Sequence, residues 1–174
     1  MTIDSPELRA ETKRAVAAAF DDLRAAHPDE TFYAFALYTD DGAAGISPAA
    51  NSEEGLAAKI TAYGEDAEPG YLRWATSEWA YEGIGWDRTA AVYGKIGEIG
   101  DAAEDFDAFH QGVLALMEGV LADLDAEGFF GRGEERERIA LFCAITDSDE
   151  DDDLVDRTIR ALNPPALVAR YDGG

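Results

Sequence analysis

Six acids occupy seven consecutive positions in Asp147-Ser148-Asp149-Glu150-Asp151-Asp152-Asp153. Alternate carboxylates at Asp147, Asp149 and Asp151 could converge on a hard divalent cation, as the ligands of an EF-hand loop do. The rest of that motif is missing: Asp152 stands where the turn glycine belongs, and position twelve is Thr158 instead of a bidentate glutamate. The run also reads as a strand-to-helix turn whose acids cap free amides and complement the positive end of the helix dipole. The missing ligands favour the turn. Asp147, Asp149, Glu150, Asp151, Asp152 and Asp153 are then an exposed recognition edge, with no metal assigned.

Other chemistry is thinly supplied. The two histidines are His27, beside Pro28 at a helix end, and His110, next to the apolar stripe of a long helix. Neither belongs to an H-E-x-x-H or C-x-x-C pattern, and no cofactor is expected. Cys143 lies inside Ile139-Ala140-Leu141-Phe142-Cys143-Ala144-Ile145, which suits a small buried residue better than an activated thiolate. The remaining group is aromatic: Tyr71, Trp74, Trp79, Tyr81 and Trp86. Three tryptophans in so short a span could line a cleft or anchor an interface. Trp74 and Trp79 better suit plugs over a sheet, whereas Trp86, between Gly85 and Asp87, is expected nearest the surface. Glu78 and Glu82 flank them as a possible carboxylate pair.

Charge narrows the partner class. The 174-residue chain carries 37 acids and 14 bases, a net charge of −23. No basic stripe can be assembled to release counterions from nucleic-acid phosphates, and no polybasic anchor for an anionic membrane. Composition that is 47% hydrophobic and 10% aromatic supports a packed core in place of disorder. The start lacks a basic segment followed by an apolar one, and no apolar run reaches the roughly 18 residues of a membrane span. A cytoplasmic location is the expectation.

The elements that must position these residues follow from periodicity. Ser5-Pro6 opens a helix that buries Leu8, Val16, Ala19, Phe20 and Leu23 and stops at His27-Pro28. Residues 32–38 are apolar throughout and predict a central strand covered on both faces. Asp40-Asp41-Gly42 predicts a turn, with residues 43–47 returning as a hairpin and Pro48 ending the pairing. Asn51 and Glu54 have capping-box spacing ahead of a helix over about 52–63. Tyr71 to Trp74 suggests a third strand, and residues 88–99 a helix despite several glycines. A long helix runs from Asp105 to Glu127, a second apolar strand over residues 138–146, and a last helix ends at Asn163-Pro164-Pro165. Two fully apolar strands about a hundred residues apart must share a sheet. The expectation is one layered α+β domain over residues 1–174, with a central, mostly antiparallel sheet packed with α-helices.

Several of these segments resemble a bacterial family. Phe32 to Asp40, Asn51-Ser52-Glu53-Glu54, Leu72-Arg73-Trp74, Glu78 to Glu82, Glu127 to Gly131, Leu141 to Asp149 and Leu162 to Pro165 are similar, in order, to the domain-of-unknown-function family numbered 4303. The resemblance implies no catalytic residue. It implies kinship in style with small cytosolic proteins near polymorphic-toxin loci, where acidic α+β domains serve as immunity proteins. A non-enzymatic module that binds a basic protein, such as a toxin, is the leading expectation, with the acidic run and Trp74, Trp79 and Trp86 as contacts. The alternatives are an acidic housekeeping protein adapted to salt, and a small-molecule binder or enzyme using carboxylates in an aromatic cleft.

Overall fold

Phe32–Asp40 (β1) carries apolar side chains on both of its faces, so it needs a partner strand on each edge and a helical cover on each side. The computed structural model, which describes residues 2–146 and 151–173, supplies all four. Ser47–Ser52 (β2) pairs antiparallel with β1, and Ala140–Thr146 (β3) pairs parallel with it, giving the order β2-β1-β3. A register shift between Phe32 and Ala34 places Tyr33 on the same side as Ala34 and Ala36. Phe35 and Leu37 face the other way, beside Leu141, Cys143 and Ile145 of β3.

That second side is covered by Pro6–Ala26 (α1), Trp86–Asp101 (α4) and Phe106–Glu127 (α5). Their buried residues recur at helical spacing: Leu8, Val16 and Phe20, then Val92 and Ile96, then Val113, Met117, Val120 and Leu121. The opposite side is built from alanines 34, 36, 49, 140 and 144, and larger groups fill the space they leave. Phe142 meets Trp79 edge-on at 5.3 Å between ring centroids, and Leu56, Leu72, Ile159 and Leu167 close the layer. These come from Glu53–Tyr63 (α2), Pro69–Trp74 (α3), Asp151–Leu162 (α6) and Pro165–Asp172 (α7). The α+β class is as expected, with helices on both faces of a three-stranded mixed sheet.

Four local expectations change. The sheet is mixed, not mostly antiparallel, because the connection from β1 to β3 holds four helices and can cross over to return parallel. Tyr71–Trp74 belongs to α3: Pro69 is pre-set for the first helical turn, and four residues are too few to separate the two periodicities. The hairpin return lies at residues 47–52 and includes Pro48. Pro48 is tolerated because its carbonyl faces away from β1, accepting from the Ile84 amide, so the missing N–H is not needed by the ladder. Pro164 and Pro165 end α6 but also start α7, again by serving the first turn. At α2 the cap is Ser52, which accepts from the Gly55 amide at 2.9 Å, while Glu54 accepts from the Thr31 amide.

A buried cation joins the C-terminal ends of two helices to the start of β3. Arg136 is only 7% exposed; it pairs with Asp125 of α5 and donates to the carbonyls of Ile139 and, at 2.7 Å, Leu162. Asn163 continues the junction, accepting from the Leu141 amide at 2.8 Å and donating to the Leu141 carbonyl at 2.6 Å. Removing the guanidinium leaves a carboxylate and two carbonyls without their donor. Arg136→Ala is expected to lower unfolding free energy by about 2–4 kcal/mol, read from urea denaturation. Arg138→Ala, at a side chain 73% exposed, is expected to change it little.

Candidate functional site

The three tryptophans have different roles. Trp79 is 4% exposed and its indole N–H donates to the Arg73 carbonyl at 3.0 Å, so it is a core plug. Trp74 is half-buried against Phe142 and Tyr171, with ring centroids 6.3 and 5.1 Å away. Trp86 is 58% exposed. Of the proposed aromatic contacts, Trp79 is therefore withdrawn into the core, and Trp86 presents the widest face to a partner.

Backbone geometry fixes where Trp86 points. Gly85 precedes α4 in the left-handed region, φ 65°, and any Cβ there would collide with Ala19 of α1. Trp86 thus starts α4 at a close crossing with α1 and stacks edge-on against Tyr93 two turns later, at 5.4 Å. The Tyr93 ring lies directly over Gly45 in the β1–β2 connection, where no side chain would fit. Exposed Glu82 and Asp87 flank this pair, and exposed Asp40 and Asp41 mark the turn after β1. Tyr38 extends the surface; burial, then the Glu82 charge, pushes its phenol up.

β3 finishes at the same end of the sheet, because Asp40 pairs with Thr146, its last residue. Asp147, Asp149 and Glu150 lie outside the described residues. Asp151, Asp152 and Asp153 form the first turn of α6, in keeping with acids at a helix start, and Asp153 is exposed. Among the described residues no three His, Cys, Asp or Glu side chains are grouped to hold a metal ion. Cys143 is fully buried and burial pushes its thiol up, opposite to what a nucleophile requires.

A polar network unforeseen from the sequence lies near the start of the sheet. Glu30 accepts from the hydroxyls of Ser52 and, at 2.6 Å, Tyr81, whose oxygen is 3.1 Å from His27 Nδ1. The hydrogen bond from Ser52 leads in holding Glu30 below the usual carboxylate range, followed by that from Tyr81. Burial and the Glu30 carboxylate push the Tyr81 phenol up to about 12. His27 and Glu30 also line a cleft of about 390 Å³ with Arg24 and Phe129-Phe130-Gly131. The Ser52 hydroxyl already accepts from the Gly55 amide as the α2 cap, so the network ties α1, β2 and the Tyr81 segment together.

A wide cleft, about 870 Å³, lies between α4 and α5 beside Ile3. Its cation, Lys95, is held by both carboxylate oxygens of Glu11 at 2.6 Å, which leaves mainly apolar walls without a converging reactive set.

A family model matches residues 12–164, most of the chain. The chain belongs to the DUF4303 family, a domain of unknown function. No curated protein and no solved structure matches it. The matched stretch runs from within α1 to Pro164 and takes in the whole sheet, and membership assigns no activity to this DUF4303 protein. Among the described residues no helix is long and apolar enough to cross a membrane.

The Glu30 network gives a pH signature. Its lowered carboxyl stabilises the fold above the ordinary value of 4.5, and that contribution is lost as pH falls through the lower folded value. Glu30→Gln is expected to cost about 1–2 kcal/mol near neutrality. In urea titrations at stepped pH, the gap between native and variant is expected to narrow steadily below pH 4.5.

Proposed function

We propose that this DUF4303 protein is a non-enzymatic interaction module that binds a basic protein through the Trp86 end of its sheet. The observation that carries the reading is an aromatic pair, Trp86 on Tyr93, at the end of the sheet that also exposes Glu82, Asp87, Asp40 and Asp41. A desolvated aromatic anchor inside a charged rim is how binding hot spots are commonly built. A net charge of −23 adds long-range attraction that speeds encounter with a cationic partner. Asp153, exposed in the first turn of α6, adds a further acid to the partner contacts in this reading. A toxin with a cationic substrate cleft is the partner that the family resemblance suggests, and a cytoplasmic site of action goes with it.

The contacts of the candidate reactive groups support the same conclusion. Glu78 is held by Lys59 at 3.1 Å and by the Tyr63 hydroxyl at 3.0 Å. His110 faces Phe106 on α5, with ring centroids 5.8 Å apart. An acid/base site built around Trp86 would need a second group to converge there with Glu82, and Glu78 and His110 make their contacts elsewhere.

The test is a pull-down from the native host, followed by titration of a basic partner so recovered at several salt concentrations. Affinity is expected to fall steeply as salt rises, and Trp86→Ala to weaken it about tenfold or more. Tyr71→Ala, at an aromatic equally exposed but on α3, is expected to have no effect. Binding that ignores both salt and Trp86→Ala, or no binding at low salt, overturns the reading.

A further inference from the structure

At the opposite end of the sheet three arginines gather, with Glu53, Glu134 and Glu137 in the same walls. A cleft of about 320 Å³ opens where β1 and β3 begin, with Tyr33 and Ala140 at its base. Three of the protein's few cations line it: Arg73, Arg138 and Arg170. They come from α3, the segment before β3 and α7, so only the folded chain gathers them. Trp74 and Leu167 complete the wall with apolar surface.

The three guanidinium groups are unequally engaged. Arg73 forms a two-point pair with Glu53 at 2.8 and 3.1 Å and lies 4.4 Å above the Tyr33 ring, which fixes it as part of the wall. Arg138 is 73% exposed and touches only the outer oxygen of Glu134, at 4.0 Å. Arg170 donates to the Glu137 backbone carbonyl and has no acidic side chain as an ion-pair partner among the described residues. Arg170 is set apart by its place, in one cleft wall with Arg138, whose single ion pair is long. Both also line an adjoining cleft of about 400 Å³ with Glu134 and Glu137, so an incoming group can reach them from solvent.

We propose that this pocket binds a small organic oxyanion, a phosphate monoester or a carboxylate on a compact aromatic or apolar body. Guanidinium forks recognise both head groups by paired hydrogen bonds, and Arg138 and Arg170 have donors free to make them. The body would rest against Trp74 and Leu167. The volume is at the small end of ligand cavities, which limits the occupant to about one ring. The protein's overall negative field does not forbid this, since at physiological salt charges more than about 8 Å away are largely screened. The site is independent of the Trp86 surface, and either can fail without the other.

Phenyl phosphate and benzoate are the probes, titrated by calorimetry and by Trp74-sensitive fluorescence, with benzyl alcohol as the uncharged control. At least one anion is expected to saturate with Kd about 1 mM or tighter, and whichever binds better names the head group. Arg138→Gln is expected to weaken binding severalfold, and the double variant Arg138→Gln/Arg170→Gln about tenfold or more. Arg138→Gln keeps the test valid if loss of Arg170 disturbs α7, because that exposed side chain supports no other element. Failure of both anions to saturate by about 10 mM, equal binding of benzyl alcohol, or unchanged affinity in Arg138→Gln and the double variant overturns the proposal.

Discussion

The structure depends on one constraint, the two-sided burial of β1. A strand with Phe35 and Leu37 on one face and Tyr33, Ala34 and Ala36 on the other cannot leave either face wet. With only three strands in the sheet, most of the chain acts as cover. The long crossover between β1 and β3 carries α2 to α5 to both faces before β3 can pair. The two faces differ in depth. Large side chains from α1, α4 and α5 fill one, while the alanine-lined face admits Trp79 and Phe142 as space-filling rings.

Once both faces are closed, solvent meets the sheet at its ends. The end where β1 and β3 finish carries Trp86, Tyr93 and exposed acids, and the end where they start carries Arg73, Arg138 and Arg170. Parallel pairing puts the turn after β1 and the end of β3 together at the first of these ends, while Arg138, just before β3, lies at the second; α3 and α7 bring Arg73 and Arg170 to it by packing over the sheet.

The scarce cations also hold the molecule together. Arg9 pairs with Asp123 and Lys13 with Glu127 across α1 and α5, Lys95 with Glu11 and Arg88 with Asp22 across α1 and α4, and Arg157 with Glu118 across α6 and α5. Exposed pairs of this kind add little each. Their effect in so acidic a chain is to offset like-charge repulsion at helix seams, where it would oppose docking. Arg136 differs in being buried, and it joins α5, β3 and α6 at one point.

The sequence by itself determined the elements whose apolar period is long and unbroken: α1, α5, β1 and β3, and the requirement that the two strands share a sheet. It also determined the character of the surface, since a charge of −23 on a foldable composition must lie outside the core. It showed Cys143 as a buried residue and Trp86 as the outermost tryptophan. Short segments were illegible, because Tyr71 to Trp74 fits either period and only Pro69 and the space over Phe142 make it helical. Tertiary structure alone decided the direction of β3, the burial of Trp79, the Glu30–Ser52–Tyr81 network and the meeting of Arg73, Arg138 and Arg170. The physical reason is common to all four. Each depends on contacts between residues far apart in the chain, and local propensity holds no information about which distant surface a side chain will meet.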